Sequence, residues 1–151
     1  MATEIADTTI LDTHESLVLL RTAEVGRLAV TVKGHPDIFP VNYVVDHGSI
    51  VFRTAHGAKL AALVRERAVA FEVDGYDADQ GTAWSVVVKG YAVEVATRLD
   101  CFETLDLPLF PWHASDKPHF IRIEPTSVTG RCFQVIHRSR WTTGPHAAPV
   151  E

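Results

Sequence analysis

Ile50-Val51-Phe52-Arg53-Thr54-Ala55-His56-Gly57-Ala58-Lys59-Leu60 carries an apolar, extended pattern through a glycine turn into the start of a helix. β-Branched and aromatic residues dominate positions 50–54, as in a strand packed on a core. Alanine and leucine take over after Gly57, as in a helix. The junction gathers groups that can hold a phosphate. Arg53 offers a planar fork of donors and Lys59 a mobile point charge. Thr54 adds a hydroxyl, and the first N–H groups of the helix have no intrahelical acceptor and sit at the positive end of its dipole. From these residues alone a second reading stays open, an ordinary strand-to-helix connection with two solvated cations, because most surface Arg and Lys have no specific role.

Upstream, residues 27–32 alternate, with Leu28, Val30 and Val32 on one face and Ala29 and Thr31 on the other. Lys33-Gly34-His35-Pro36-Asp37 is a turn cluster, residues 38–45 form a second strand, and Asp46-His47-Gly48-Ser49 closes a hairpin onto residues 50–54. Before them, Asp12-Thr13-His14-Glu15 has the form of a capping box, and helical spacing of Leu17, Leu20 and Val25 up to Gly26 predicts a short opening helix. Downstream, the pattern predicts a helix over 58–67 and a strand over 68–73. An acidic loop follows over 74–81, then a long strand over 82–97 with a bulge or bend at Gly90. Residues 98–106 suit a short helix and the proline-containing 107–118 an irregular loop. Strands over 119–124 and 128–134 are interrupted by Pro125-Thr126-Ser127. Six to seven strands with two or three short helices predict a mainly β, closed or nearly closed antiparallel barrel. One domain over 1–141 and a mobile tail over 142–151 are expected.

The composition agrees with a single core. The chain has 151 residues, 46% hydrophobic and 22% charged, which is globular rather than disordered. A net charge of −5 without a basic run argues against a nucleic-acid partner, so anion binding is expected to be local. Cys101 and Cys132 form no C-x-x-C pair and read as reduced core thiols, as in a cytosolic protein. Residues 1–7 lack the basic start and apolar run of a signal peptide, and no segment has the length of a membrane span. A cytoplasmic location without membrane partners is the expectation.

Two further stretches point to chemistry. Pro40-Val41-Asn42-Tyr43 places a proline and a polar residue inside an apolar strand. This suits either a protected edge or backbone turned toward a flat heterocycle. Trp84-Ser85-Val86-Val87-Val88-Lys89-Gly90 puts Trp84 and Ser85 on opposite faces. Trp84 can stack on an aromatic ligand or serve as a core or subunit-interface residue, and Ser85 can reach a phosphate. The His113 and His119 pair is too sparse for zinc or haem, so no metal site is expected. No G-x-S-x-G, G-x-G-x-x-G or G-x-x-x-x-G-K-[ST] is present, which disfavours an esterase elbow, a dinucleotide fold and a P-loop.

In order, Val25-Gly26-Arg27-Leu28-Ala29, Pro40-Val41-Asn42-Tyr43, residues 52–60, Val69-Ala70-Phe71-Glu72-Val73-Asp74, residues 81–90 and residues 121–131 resemble the pyridoxamine 5′-phosphate oxidase-like family of FMN-binding split β-barrels. The resemblance spans about residues 14–133 and rests on the order and spacing of the six blocks. It implies a homodimer with two FMN sites at the subunit interface. Arg53, Thr54 and Lys59, with Leu60 beside them, would hold the flavin phosphate. The backbone at Val41, Asn42 and Tyr43 would border the isoalloxazine, and Trp84 and Ser85 would contribute from their strand. The family does not fix the reaction. The leading expectation is an FMN-dependent oxidoreductase passing a hydride or electrons to a small planar acceptor, with Tyr43, Trp84 and the Trp112 loop on the substrate side. The alternatives are a deazaflavin-dependent reductase and a flavin- or haem-binding module without turnover. Arg138-Ser139-Arg140-Trp141 only faintly echoes the C-terminal motif of a true pyridoxamine phosphate oxidase, which argues against vitamin metabolism.

Overall fold

The computed structural model describes residues 8–55, 57–95 and 119–135. Seven strands and two helices follow in the order β1 Thr8–Leu11, α1 Thr13–Leu20, β2 Val25–Val32, β3 His35–Asp46, β4 Ser49–Thr54, α2 Ala58–Arg65, β5 Ala68–Asp77, β6 Thr82–Glu94 and β7 His119–Gln134. The strands pair antiparallel in the order β1-β7-β4-β3-β2-β5-β6, and an additional β6–β7 ladder closes the ring. This is the mainly β split barrel that the alternation predicts. Closure pairs most of the strand edges around the ring, which is how small β proteins limit pairing with strangers.

Alternation along each strand fills the interior. Leu28, Val30, Val41, Tyr43, Ile50, Phe52, Phe71, Val86, Val88, Ile121 and Ile123 form one buried cluster, and Leu60 and Leu63 of α2 and Leu20 of α1 join it. The capping box forms as expected: Glu15 N–H donates to Asp12 Oδ1 at 2.8 Å, and Asp12 N–H to Glu15 Oε2 at 2.9 Å. The β2–β3 and β3–β4 turns each place a pair of residues at positive φ, Lys33 with Gly34 and His47 with Gly48, the backbone that matches strand twist.

Several expectations change. The opening helix ends at Leu20 rather than near Gly26, and Val25 and Gly26 begin β2. His35, Pro36 and Asp37 belong to β3 rather than to the turn. β1, which pairs Thr8–Leu11 with Phe133–Gly130, was not expected, since four residues are too few to show a period. Helix α2 ends at Arg65 rather than 67. Residues 74–77 are strand, not loop, because β5 stays paired with β6 as far as Asp77↔Thr82. Residues 119–134 form one strand rather than two. Pro125 is absorbed by a bulge in which Lys89 faces Ser127 and Gly90 faces Pro125, leaving Thr126 as the extra residue. Thr126 Oγ1 donates to Lys89 O at 3.1 Å, restoring a hydrogen bond at the break. The bulge expected at Gly90 is therefore present, with the inserted residue on the facing strand. Only glycine fits there, since a Cβ would lie 2.0 Å from Glu124 O. The expected helix over 98–106, the Trp112 loop, Cys101 and the tail over 142–151 lie outside the described residues. Among those residues no helix is long and apolar enough to cross a membrane.

Candidate functional site at the fork between β3 and β4

Strand β3 has two partners in succession. Residues 43–46 pair with β4 from Tyr43↔Phe52 to Asp46↔Ser49, whereas residues 35–42 pair with β2 alone. Among the described residues no strand covers the other side of 35–42. β4 meanwhile continues along β7 through Arg53↔Phe120 and Thr54↔His119. The two strands therefore part just beyond Tyr43 and Phe52, and Asn42 and Arg53 stand at the fork on the outer face.

Backbone direction follows from the ladder. Tyr43 N–H donates to Glu24 O at 3.1 Å, on the β2 side. Alternation then turns the main-chain groups of Asn42 and Pro40 toward the fork. Proline is tolerated there because its missing N–H belongs to the uncovered side. Ile38, the next such position, has its N–H satisfied by Asp37 Oδ1 at 2.9 Å.

The opposite bank of the fork is the β4–α2 junction. Gly57, the N-cap of α2, has φ 151 and ψ −168, a glycine-only conformation, and offers no side chain to cap the helix. The first turn has no acidic residue, so its N–H groups and dipole remain for an anion. Two aromatic rings carry the cations. Arg53 Cζ lies 5.2 Å from the Phe120 ring centre and Lys59 Nζ 5.1 Å from that of Phe39. Such contacts fix long side chains that would otherwise wander. Lys59 thus reaches from α2 to β3. Thr54 is buried, its hydroxyl donating to Ala55 O at 3.3 Å.

The Oδ1 of Asn42 is buried without a hydrogen-bond partner. An unsatisfied buried acceptor costs roughly 1–3 kcal/mol, a cost a ligand donor can remove. Asn42 also lines an open groove of about 280 Å³ with Arg21, Glu24 and Val44. Cations and uncapped helix N–H groups for a phosphate, beside a free backbone edge and an orphan acceptor for a flat heterocycle, fit a flavin.

Not every expected residue meets there. Val41 and Leu60 point their side chains into the core, and the main chain of Val41, like that of Tyr43, faces β2. Tyr43 is also inward: its hydroxyl donates to Leu20 O, and its ring stands edge-on to Phe71 at 4.9 Å. Burial pushes its phenol well above the usual range. Trp84 lies over Gly75, where a Cβ would meet the indole Nε1 at 2.4 Å, and packs against the core cluster. Ser85 pairs with Asp74 and Arg131. Along β7, the stretch from Phe120, opposite Arg53, to Arg131, opposite Ser85, is roughly 36 Å of strand at ~3.3 Å per residue. One barrel therefore unites Asn42, Arg53, Thr54 and Lys59 but leaves Trp84 and Ser85 remote.

Sequence reasoning missed the supports. Arg122 donates to Asp46 Oδ2 at 2.8 Å and to Ser49 Oγ, clamping the β3–β4 hairpin onto β7. Phe39 and Phe120 carry the cations, yet neither has a local signal, since each contact depends on pairing across the sheet. His119 pairs with Glu94. On the outer face Arg27 bridges Glu72 at 2.7 Å and Asp74 at 3.3 Å. Burial pushes the Glu72 carboxyl up against the pull of Arg27.

The sequence profile of the pyridoxamine 5′-phosphate oxidase family matches residues 12–132. An uncharacterised protein of Mycobacterium tuberculosis is 38% identical over 125 residues, 80% of this chain and 82% of its own. An FAD binding protein from Mycobacterium smegmatis is 37% identical with a TM-score of 0.70, covering 83% of this chain and 98% of that one. A Corynebacterium glutamicum protein assigned as a pyridoxamine 5′-phosphate oxidase is 38% identical with a TM-score of 0.77, covering 86% and 96%. Barrel topology, the matched span and this likeness agree, and the chain belongs to the pyridoxamine 5′-phosphate oxidase family.

Proposed function

We propose that this chain is a flavin-dependent oxidoreductase that holds a flavin nucleotide, FMN in its smallest form, at the β3–β4 fork and reduces or oxidises a small planar acceptor. One observation carries the reading. Arg53 and Lys59, each seated on an aromatic ring, flank the uncapped start of α2 beside the open edge and unsatisfied Asn42 of β3. The likeness to an FAD binding protein supports it.

When bound, the flavin supplies the hydride or electron transfer, which is why the fork needs no nucleophile or acid–base pair of its own. Arg53, Lys59, the Thr54 hydroxyl and the α2 N–H groups bind the phosphate, with the two guanidinium–ring and ammonium–ring contacts limiting the entropy lost on binding. The Asn42 backbone and side chain orient the ring by its polar edge. Trp84 and Ser85, remote on the same barrel, border the same flavin only if supplied by a second copy, so the working unit is a homodimer in the cytoplasm.

Mass spectrometry of the small molecule released on denaturation tests the cofactor, together with titrations of the purified protein with FMN, FAD and a deazaflavin coenzyme. Light scattering tests the dimer. A flavin with turnover of an acceptor on a dimeric protein is expected. A deazaflavin in its place moves the reading to the deazaflavin-dependent reductases, and tight flavin or haem binding with no turnover makes the protein a carrier. A strict monomer that ignores every flavin refutes the site.

A further inference from the structure

The groove beside Asn42, of about 280 Å³, lies across β3 from the β4–α2 junction. Strand β2 begins at Val25, opposite Asn42, so the residues that precede it pass beside Tyr43, Val44 and Val45 outside the ladder. Two ties from Tyr43 fix the gap between them: its N–H donates to Glu24 O at 3.1 Å and its hydroxyl to Leu20 O. The groove is therefore held in shape by the same residue that anchors β3 in the core. Asn42 lines it and also stands at the fork, so groove and fork are neighbours with one residue in common.

Its lining is bipolar. Arg21 supplies a guanidinium and Glu24 a carboxylate, and among the described residues neither has an ion-pair partner within 4.0 Å. Main-chain groups add to these. Tyr43 directs its N–H to the β2 side, and alternation gives Val45 the same direction. The β2 ladder stops at Asn42 and β4 pairs on the other side of β3, so the N–H and C=O of Val45 face the groove without a backbone partner among the described residues. A donor and an acceptor side by side on one residue match the paired C=O and N–H of a lactam or carboxamide. Ala23 and Val44 supply apolar walls. The volume is below the usual range for drug-sized ligands, about 300–1,000 Å³, and suits a molecule of one ring.

Resting on the flavin reading above, we infer that this groove seats the acceptor, and that the acceptor is a one-ring molecule joining a lactam or carboxamide edge to a single anionic group. Val45 N–H donates to its carbonyl and Val45 O accepts from its N–H, a β-bridge made with a small molecule. Arg21 takes the anionic group, a charge-assisted contact that a neutral analogue loses. Glu24 repels a second negative charge and so rejects dianions. Asn42, common to groove and fork, brings the seated molecule beside the flavin ring. Arg21 and Glu24 belong to the α1–β2 connection, so selectivity for the acceptor is carried by a loop while strands and helix hold the cofactor.

Calorimetric titration of the flavin-loaded full-length protein with 6-hydroxynicotinate, a pyridone carboxylate that has both features, tests the inference beside its methyl ester, its N-methyl derivative and a pyridone dicarboxylate. The pyridone carboxylate is expected to bind at least about tenfold more tightly than each of the others, the scale of one such contact, and to shift the absorption bands of the bound flavin. Arg21→Ala should remove the advantage over the ester, Arg21→Lys should restore part of it, and Glu24→Gln should admit the dicarboxylate, all with flavin affinity unchanged. The ester and N-methyl probes test the same contacts on wild type without any substitution. No binding of the pyridone carboxylate, equal affinity for all four probes, or an unmoved preference in Arg21→Ala overturns the groove assignment and leaves the fork as a flavin site. Binding that leaves the flavin spectrum unchanged places the ligand apart from the ring and overturns its role as acceptor. A protein that takes up no flavin removes the fork reading and this one together.

Discussion

The wall of β5, β6 and β7 and the fork between β3 and β4 belong to one ring of strands and do opposite things with their backbone. Along the wall β6 is paired on β7 from Thr82↔Gln134 to Glu94↔Ile121, with one bulge, and Val86, Val88 and Ile123 beneath it are wholly buried. At the fork the ladder stops, an amide oxygen is buried unsatisfied, and a helix begins without a cap. A closed barrel satisfies its main-chain groups by pairing them, so it can offer such groups to a ligand only where pairing is interrupted. Pairing is concentrated in the wall, and open backbone at the split.

Substitutions can break this comparison. Phe71→Ala should show the largest effect, about 3–5 kcal/mol of lost stability, because the wholly buried ring covers Gly26 and meets Tyr43. Urea unfolding measures it, and a loss below 1 kcal/mol would mean the wall does not carry the fold. Gly90→Ala comes next at about 3 kcal/mol, since backbone must shift to admit a methyl group at the bulge. At the fork the response should invert. Arg53→Ala and Lys59→Ala should each weaken flavin binding by about 1.5–3 kcal/mol while moving stability by under ~0.5 kcal/mol. Unchanged affinity in both, by titration of the cofactor-free protein, would detach the cations from the ligand.

Tyr43 links the two regions and sharpens the contrast with the smallest effect. Tyr43→Phe leaves Leu20 O without its donor and should cost about 1 kcal/mol at neutral pH. Burial raises the phenol's pKa, so the folded protein keeps a proton that the unfolded chain releases above pH ~10. The unfolded state then binds fewer protons, and stability falls as pH climbs past about 10, by at most ~1.4 kcal/mol per pH unit. Below that both states are protonated and Tyr43 adds no pH dependence. Urea midpoints at neutral and alkaline pH, compared between wild type and Tyr43→Phe, check the sign. An equal alkaline decline in both would remove Tyr43 as its cause.

Much of this was legible in the residues. Two-residue periodicity marked β2 and β6, an apolar β-branched run marked β4, turn pairs marked the hairpins, and Asp12 with Glu15 announced α1, because these are local energies of neighbouring groups. Arg53, Thr54 and Lys59 were readable as an anion corner for the same reason. What failed was also physical. Asp74 to Asp77 and Pro125 look like loop to a local rule, yet cross-strand hydrogen bonds hold them in strands. The ring of Tyr43 turns to Leu20 and Phe71 and that of Trp84 lies over Gly75, contacts that no local pattern announces.

The sequence by itself determined most strand and helix segments, the gathering of Arg53, Thr54 and Lys59 at a strand-to-helix junction, and the family pattern. Tertiary structure alone decided that β7 would serve β1, β4 and β6 at once, that β3 and β4 would separate beside Asn42, and that Phe39 and Phe120 would lie beneath the two cations. Periodicity fixes which face a side chain takes. Register between strands far apart in the chain fixes what it meets there, and that is set by the whole core closing rather than by any one segment.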